Sequence, residues 1–218
     1  MTTNFEITNQ QLASNCGQQI CCNTNVQLPT KTQQFDALRT VGIKTVPFGI
    51  VKNVVNSLQP LQIVVYTDEL KHHGDGKQLE YSEIAIDKYG DLLCSAYIHP
   101  ISDLSKSRKI LMIGEKSFTI DHYSDDWRTN CGTKEVIIQG ENLDYHDILY
   151  KQMLNLMHMY KSPTISVDFV HVFANMWLAT DLNTIPNLSD INLSDYVSNA
   201  EIINNVNSMN KKFLDNDL

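Results

Sequence analysis

The chain has 218 residues, 42% of them apolar, and a formal net charge of -8 at pH 7. The length suits one domain with a sizeable core, or a domain plus arms. The acidic balance, with only Arg39, Arg108 and Arg128 as arginines, argues against a protein that coats nucleic acid through a basic face and leaves room only for a small patch at Lys106, Arg108 and Lys109.

No apolar run is long enough to span a bilayer. The start, MTTNFEITNQQLASN, has neither the basic region nor the apolar core of a secretory signal. Cys16, Cys21, Cys22, Cys94 and Cys131 are odd in number and irregularly spaced, so they read as reduced thiols rather than a disulfide framework. The chain is rich in Asn and Ile, a composition that suits an AT-rich genome, including many viral ones.

Residues 1–34 are rich in Asn, Gln and Thr and contain Pro29. They read as an N-terminal arm with a short helix around Gln10 to Cys22, too poor in apolar residues to fold alone. Ile50, Val51, Val54, Val55 and Leu58 keep the spacing of one helix face, and Pro60 ends it. LQIVVYT reads as a short buried strand, and HHGDGK as a loop turned at Gly74 and Gly76. Residues 81–99 read as a hairpin. Ile84 and Ile86 alternate with polar residues, KYGD turns, and Leu92, Cys94, Ala96 and Ile98 line the return strand. KILMIG and KSFTIDH are two more strands around Gly114.

Lys134 to Leu178 is the best-specified stretch. EVIIQG is a strand ending at Gly140, and Asp144 is placed to cap a helix, DYHDILYKQMLNLMHMYK. Pro163 stops that helix, and ISVDFVHVF follows as a strand. After Leu182 the chain turns polar, with one turn capped by Asp190 or Ser194. The end from Asn204 reads as flexible. These elements predict a β-rich α+β fold, an antiparallel β-sandwich with helices packed outside and an N-terminal arm. The expected organisation is an arm over 1–34, a core over 35–200 and a polar tail over 201–218.

The candidate chemistry is thin. CGQQICC, Cys16 to Cys22, lacks the paired spacing of a structural zinc site. His72 and His73 are adjacent, so on an extended segment they point to opposite sides and cannot readily share a metal. With Asp75 they read as a solvated, pH-responsive loop. Asn130-Cys131-Gly132 resembles the neighbourhood of a cysteine nucleophile, but no second motif supplies a base. Ile148, Leu149, Met153, Leu156, Met157 and Tyr160 form an apolar helical stripe, which reads as core, with His158 at its edge. There is no Gly-rich phosphate loop in the strand–loop–helix context. The reading is therefore a non-enzymatic protein with no catalytic residue, no metal site and no cofactor.

Two resemblances give that reading a class. RKILMIGEKSFTIDHYSDDW, then EVIIQG, then the helix over 145–160 running into a strand, resembles the later part of a cypovirus polyhedrin. Trp127 and the run from Asp147 to Phe173 occupy the corresponding places. The resemblance implies a self-assembling occlusion-body protein, its arm clamping neighbours in a lattice around virus particles. Titration of tyrosine and cysteine in an acidic chain would make such a lattice dissolve in alkali. EIAIDKYGDLLCSAYI and SPTISVDFVHVF are similar to strands of plant viral movement proteins, and the alternative is a movement or matrix-like protein that binds single-stranded nucleic acid or host partners. That family implies binding to single-stranded nucleic acid, against which the acidic balance counts. The implied partners are copies of the chain itself and virus particles, with no membrane span, in the cytoplasm of an infected host cell.

Overall fold

The computed structural model describes residues 28–71, 75–128, 133–138, 147–186, 193 and 195–215. Helix α1, Lys31–Thr40, opens the described chain. Thr30 caps it: its hydroxyl accepts from the Gln33 N–H, and the Gln33 side chain accepts from the Thr30 N–H at 2.9 Å. Glu69 adds a carboxylate at the same end, accepting from the Thr32 N–H and hydroxyl at 2.9 and 2.8 Å.

A four-stranded antiparallel sheet follows. It contains β1 Phe48–Ile50, β2 Gln62–Tyr66, β3 Lys77–Tyr81 and β4 Leu93–Ala96, in the spatial order β1-β4-β2-β3. Helix α2, Val51–Leu58, lies where the apolar spacing predicts it, and Val51, Val54 and Val55 pack on Ile63, Val65 and Cys94. The hairpin expected over 81–99 is corrected. Ser82–Tyr89 is helix α3, and only the return strand forms. Ala85 is buried in this core with Ile86 and Tyr89 against it, the i, i+1, i+4 spacing of a helix face, while Ile84 stays exposed. Helical packing of Ala85 and Tyr89 outweighs the two-residue alternation.

The second sheet has five antiparallel strands: β5 Ser105–Ile113, β6 Lys116–Ser124, β7 Thr133–Ile138, β8 Thr164–Phe173 and β9 Met176–Asn183. Their order is β7-β6-β5-β8-β9. Both faces are covered. Ile110, Met112, Ile165 and Val167 pack against Met153, Leu156 and Met157 of helix α4, Ile148–Tyr160. Leu111, Ile113, Phe118 and Ile120 pack against Ile202 and Val206 of helix α5, Asn199–Asp215. This explains why KILMI reads as an unbroken apolar run: neither face is wet. The α+β class holds, with two antiparallel sheets. The expected sandwich of sheet on sheet is corrected, because helices rather than a second sheet cover the large sheet.

The ends also differ from expectation. Helix α1 begins inside the stretch read as an arm, with Lys31 and Gln34 buried. The stretch from Asn204, read as flexible, lies within α5, where Ile202, Val206 and Met209 are buried at i, i+4, i+7. Ser198 and Glu201 form a capping pair at the α5 start. On α4 the N-cap is Asp147; Asp144, expected to cap, lies outside the described residues. Lys161 ends α4 in the left-handed conformation, φ 48°, just before Pro163. The expected stripe is buried at Met153, Leu156 and Met157, but Ile148 is exposed.

Candidate functional site

The two sheets are tied together by charge. In the register of the large sheet, Lys109 of β5 stands opposite Asp168 of β8, and Asp168 stands opposite Asp181 of β9. Facing residues of an antiparallel pair share a face, so these three form a transverse row. Ser166 and Asn183 face each other two residues along on the same face. The Lys109 ammonium lies 3.6 Å from Asp168 Oδ1. That oxygen has no hydrogen bond, and Asp168 is only 8% exposed. The Ser166 hydroxyl is buried in the same condition.

Two lysines reach this row from outside the large sheet. Lys31 of α1 donates to Asp181 Oδ1 at 2.6 Å, and Lys77 of β3 donates to Oδ2 at 2.8 Å. One carboxylate thus holds an ammonium on each oxygen. Lys31 also donates to Gln34 Oε1 at 3.1 Å, and that oxygen accepts from the Leu182 N–H at 3.3 Å. Its ammonium stands 5.5 Å from the Phe35 ring and 5.4 Å from the Tyr66 ring. Tyr66 is fixed in turn by a 3.0 Å hydrogen bond with Ser95.

Burial separates the two lysines. The Lys31 side chain is 4% exposed and that of Lys77 is 19%. For Lys31 desolvation wins over Asp181, and its pKa falls to about 8. For Lys77 burial works the same way, but the pull of Asp181 and Tyr66 exceeds it and its pKa is raised. Asp181 is penalised by burial, yet the two ammoniums hold it well below the usual carboxylate range. Burial pushes the Tyr66 phenol up to about 12.

A second cluster occupies the opposite face. Arg108 clamps Asp121 through two bonds at 2.6 and 2.8 Å, and its guanidinium lies 4.4 Å from the Trp177 ring centre. Lys106 lies 3.5 Å from Asp121 and within 5.3 Å of Trp177. The expected patch of Lys106, Arg108 and Lys109 is therefore divided. Successive strand residues point to opposite faces, so Lys109 goes to the row and the other two to this cluster.

By sequence, the chain matches no family model and no curated protein. By structure it is similar to several solved proteins. D-cycloserine synthetase aligns with a TM-score of 0.60 at 10% identity, over 84% of this chain and 70% of that one. N5-carboxyaminoimidazole synthetase from Staphylococcus aureus, complexed with ADP, aligns with a TM-score of 0.53 at 16% identity, over 76% and 47%. An ATP-grasp ligase complexed with a precursor variant, Mg and ADP aligns at 0.55 and 10%, over 83% and 58%. The fold is that of the ATP-grasp ligases. The chain spans about half the length of the carboxyaminoimidazole synthetase and less than two thirds of the precursor ligase.

The ATP-grasp fold overturns the functional expectations. The resemblance to a polyhedrin rested on the strand–helix–strand run from Lys134 to Leu178, which the ATP-grasp scaffold supplies as β7, α4 and β8. The occlusion-body lattice role, its pH-dependent disassembly and the movement-protein alternative all depended on those resemblances, and none has support in the structural relatives. The expectation of a non-enzymatic protein falls with them, because this architecture recurs in ligases.

None of the cysteines and histidines singled out for chemistry is among the described residues of this site. Cys16, Cys21, Cys22, Cys131, His72 and His73 are outside the described residues. Cys94 is buried in the small-sheet core, where desolvation pushes its thiol up to about 12. His158 meets Phe213 edge-on at 5.5 Å, a packing contact. The row itself was missed. Its sequence signal is a charge inside an apolar strand, Asp168 in TISVDFV, followed by Asp181 and Asn183 at the end of the next strand. A carboxylate so placed must be paired or coordinating. Lys31 carries no such signal, since its partner is 150 residues away. No helix among the described residues is long and apolar enough to cross a membrane.

Proposed function

We propose that the chain is an ATP-dependent ligase whose nucleotide phosphates bind between the two sheets, at the Lys109–Asp168–Asp181 row. The observation that carries this reading is the placement of Lys31 and Lys77 from two other elements onto Asp181, on a fold shared with ADP-bound ligases. Lysine ammoniums are compact, mobile point charges suited to phosphate. They already lie mostly out of water, so their attraction for a polyanion is little screened.

The residues also fit a divalent metal. Among the described residues no group of three or more His, Cys, Asp or Glu exists. Magnesium, however, takes few protein ligands beside substrate phosphates and prefers carboxylate and carbonyl oxygen. Asp168 and Asp181 supply two facing carboxylates, one with an oxygen lacking a hydrogen bond, and the Asn183 amide shares their face. These three would hold the ion. When bound, a magnesium–nucleotide complex supplies a transferable phosphoryl group and neutralises the charge that develops on it. Lys31 and Lys77 would orient the phosphates. Lys109 would hold Asp168, and Tyr66, fixed by Ser95, would present its ring to the Lys31 ammonium.

The test is thermal unfolding of the full chain with ADP and magnesium. A rise of several degrees at saturating ADP is expected, from preferential binding to the native state. An unchanged midpoint with every nucleoside di- and triphosphate sinks the reading.

A further inference from the structure

Asp181 is in an unusual position for a metal ligand, because both of its oxygens are taken. Lys31 holds Oδ1 and Lys77 holds Oδ2, at ion-pair distance. Lys109 stands on Asp168. Three ammonium groups therefore face two carboxylates in a mostly water-excluded row. A bare divalent cation entering here meets a local positive excess and finds no free oxygen on Asp181. In a low-dielectric setting the repulsion is strong. A polyphosphate meets the opposite situation. Its oxygens can take up the two ammoniums, as charge-assisted bonds to phosphate replace those to Asp181. Both Asp181 oxygens are then released beside the Asp168 oxygen that has no hydrogen bond.

We propose that Lys31 and Lys77 are exchangeable counter-ions of Asp181: a polyphosphate takes over the two ammoniums, and only then do Asp181 and Asp168 accept a divalent cation. This rests on the nucleotide reading above. It makes the binding order a property of these two lysines. The polyanion binds without metal, the metal binds more weakly without the polyanion, and each tightens the other by the same factor.

Two measurements on the full chain test it. Manganese binding to the nucleotide-free protein is followed by electron paramagnetic resonance. ADP binding is followed by calorimetry, once in EDTA and once in magnesium. The expected results are an unbound manganese spectrum at millimolar metal, measurable ADP binding in EDTA, and about ten-fold tighter binding in magnesium. Lys77→Met frees one oxygen of Asp181, so it should gain manganese binding without nucleotide. Lys77→Arg keeps a cation on Asp181 and should gain no manganese binding without nucleotide. Circular dichroism checks that both variants fold. If Lys77→Met does not fold, Lys31→Met makes the same test on the other oxygen. Manganese binding to the parent as tightly without ADP as with it overturns the counter-ion role and leaves nucleotide binding standing. A folded Lys77→Met or Lys31→Met that gains no manganese overturns it too. Failure of ADP to bind under any condition overturns both.

Discussion

Lys77 and Asp181 meet at 2.8 Å although 104 residues separate them, and their contact joins the small sheet to the large one. Asp181 also neutralises Lys31, so its carboxylate supports two cations that are mostly out of water. Asp181→Asn leaves both ammoniums without the counter-charge they bond to. The expected cost is about 3 kcal/mol, the lower end for a broken buried pair, since the Asp181 side chain is one fifth exposed. Urea unfolding measures it. A loss below about 1 kcal/mol would show that the contact behaves as a surface pair.

The α4 packing gives a plainer expectation. Leu156 is fully buried between α4 and the large sheet. Leu156→Ala should cost about 2–5 kcal/mol through lost transfer energy and the cavity left behind. Denaturant titration with an unchanged m-value is the check. An unchanged midpoint would contradict the packing described for α4.

Gly114 turns the β5–β6 hairpin at φ +58°, and a Cβ there would lie 2.7 Å from the Asn205 carbonyl oxygen on α5. Gly114→Ala thus combines an unfavourable backbone region with a clash against a helix backbone. The expected cost is about 1–3 kcal/mol. Faster amide exchange should be confined to α5 and the hairpin, and exchange unaltered in α5 would show that the two do not touch.

Acid should act through the Arg108–Asp121 cluster. Burial opposes the charge of Asp121, but Arg108 and Lys106 hold its carboxyl below the usual range. Its contribution is present above the unfolded pKa of about 3.9 and is lost as pH falls through the lower folded value. The parent should therefore lose stability more steeply between about pH 4 and pH 2 than Asp121→Asn, in which that titration is gone. Parallel slopes for the two proteins would contradict the assignment.

Local order was largely legible in the sequence. The helix at Val51–Leu58, the strands at Gln62–Tyr66, Ser105–Ile113 and Lys116–Ser124, and the run of β7, α4 and β8 follow from spacing, Pro and Gly signals acting within a few residues. The misses share one cause. Ser82–Tyr89 and the helix from Asn199 are stabilised by contacts with distant residues, so a weak local pattern gave the wrong element. The candidate site was illegible for the same reason. No short motif joins Lys31, Lys77, Lys109, Asp168 and Asp181, because they come from five separate elements.

What the sequence determined by itself was an α+β chain with an acidic balance and a firm strand–helix–strand scaffold. Those are products of local periodicity and composition. Tertiary structure alone decided that helices cover both faces of the large sheet and that three lysines converge on two carboxylates. The physical reason is that burial and Coulomb energy depend on distance in space, and residues 31, 77 and 181 become neighbours only when the two sheets are brought together.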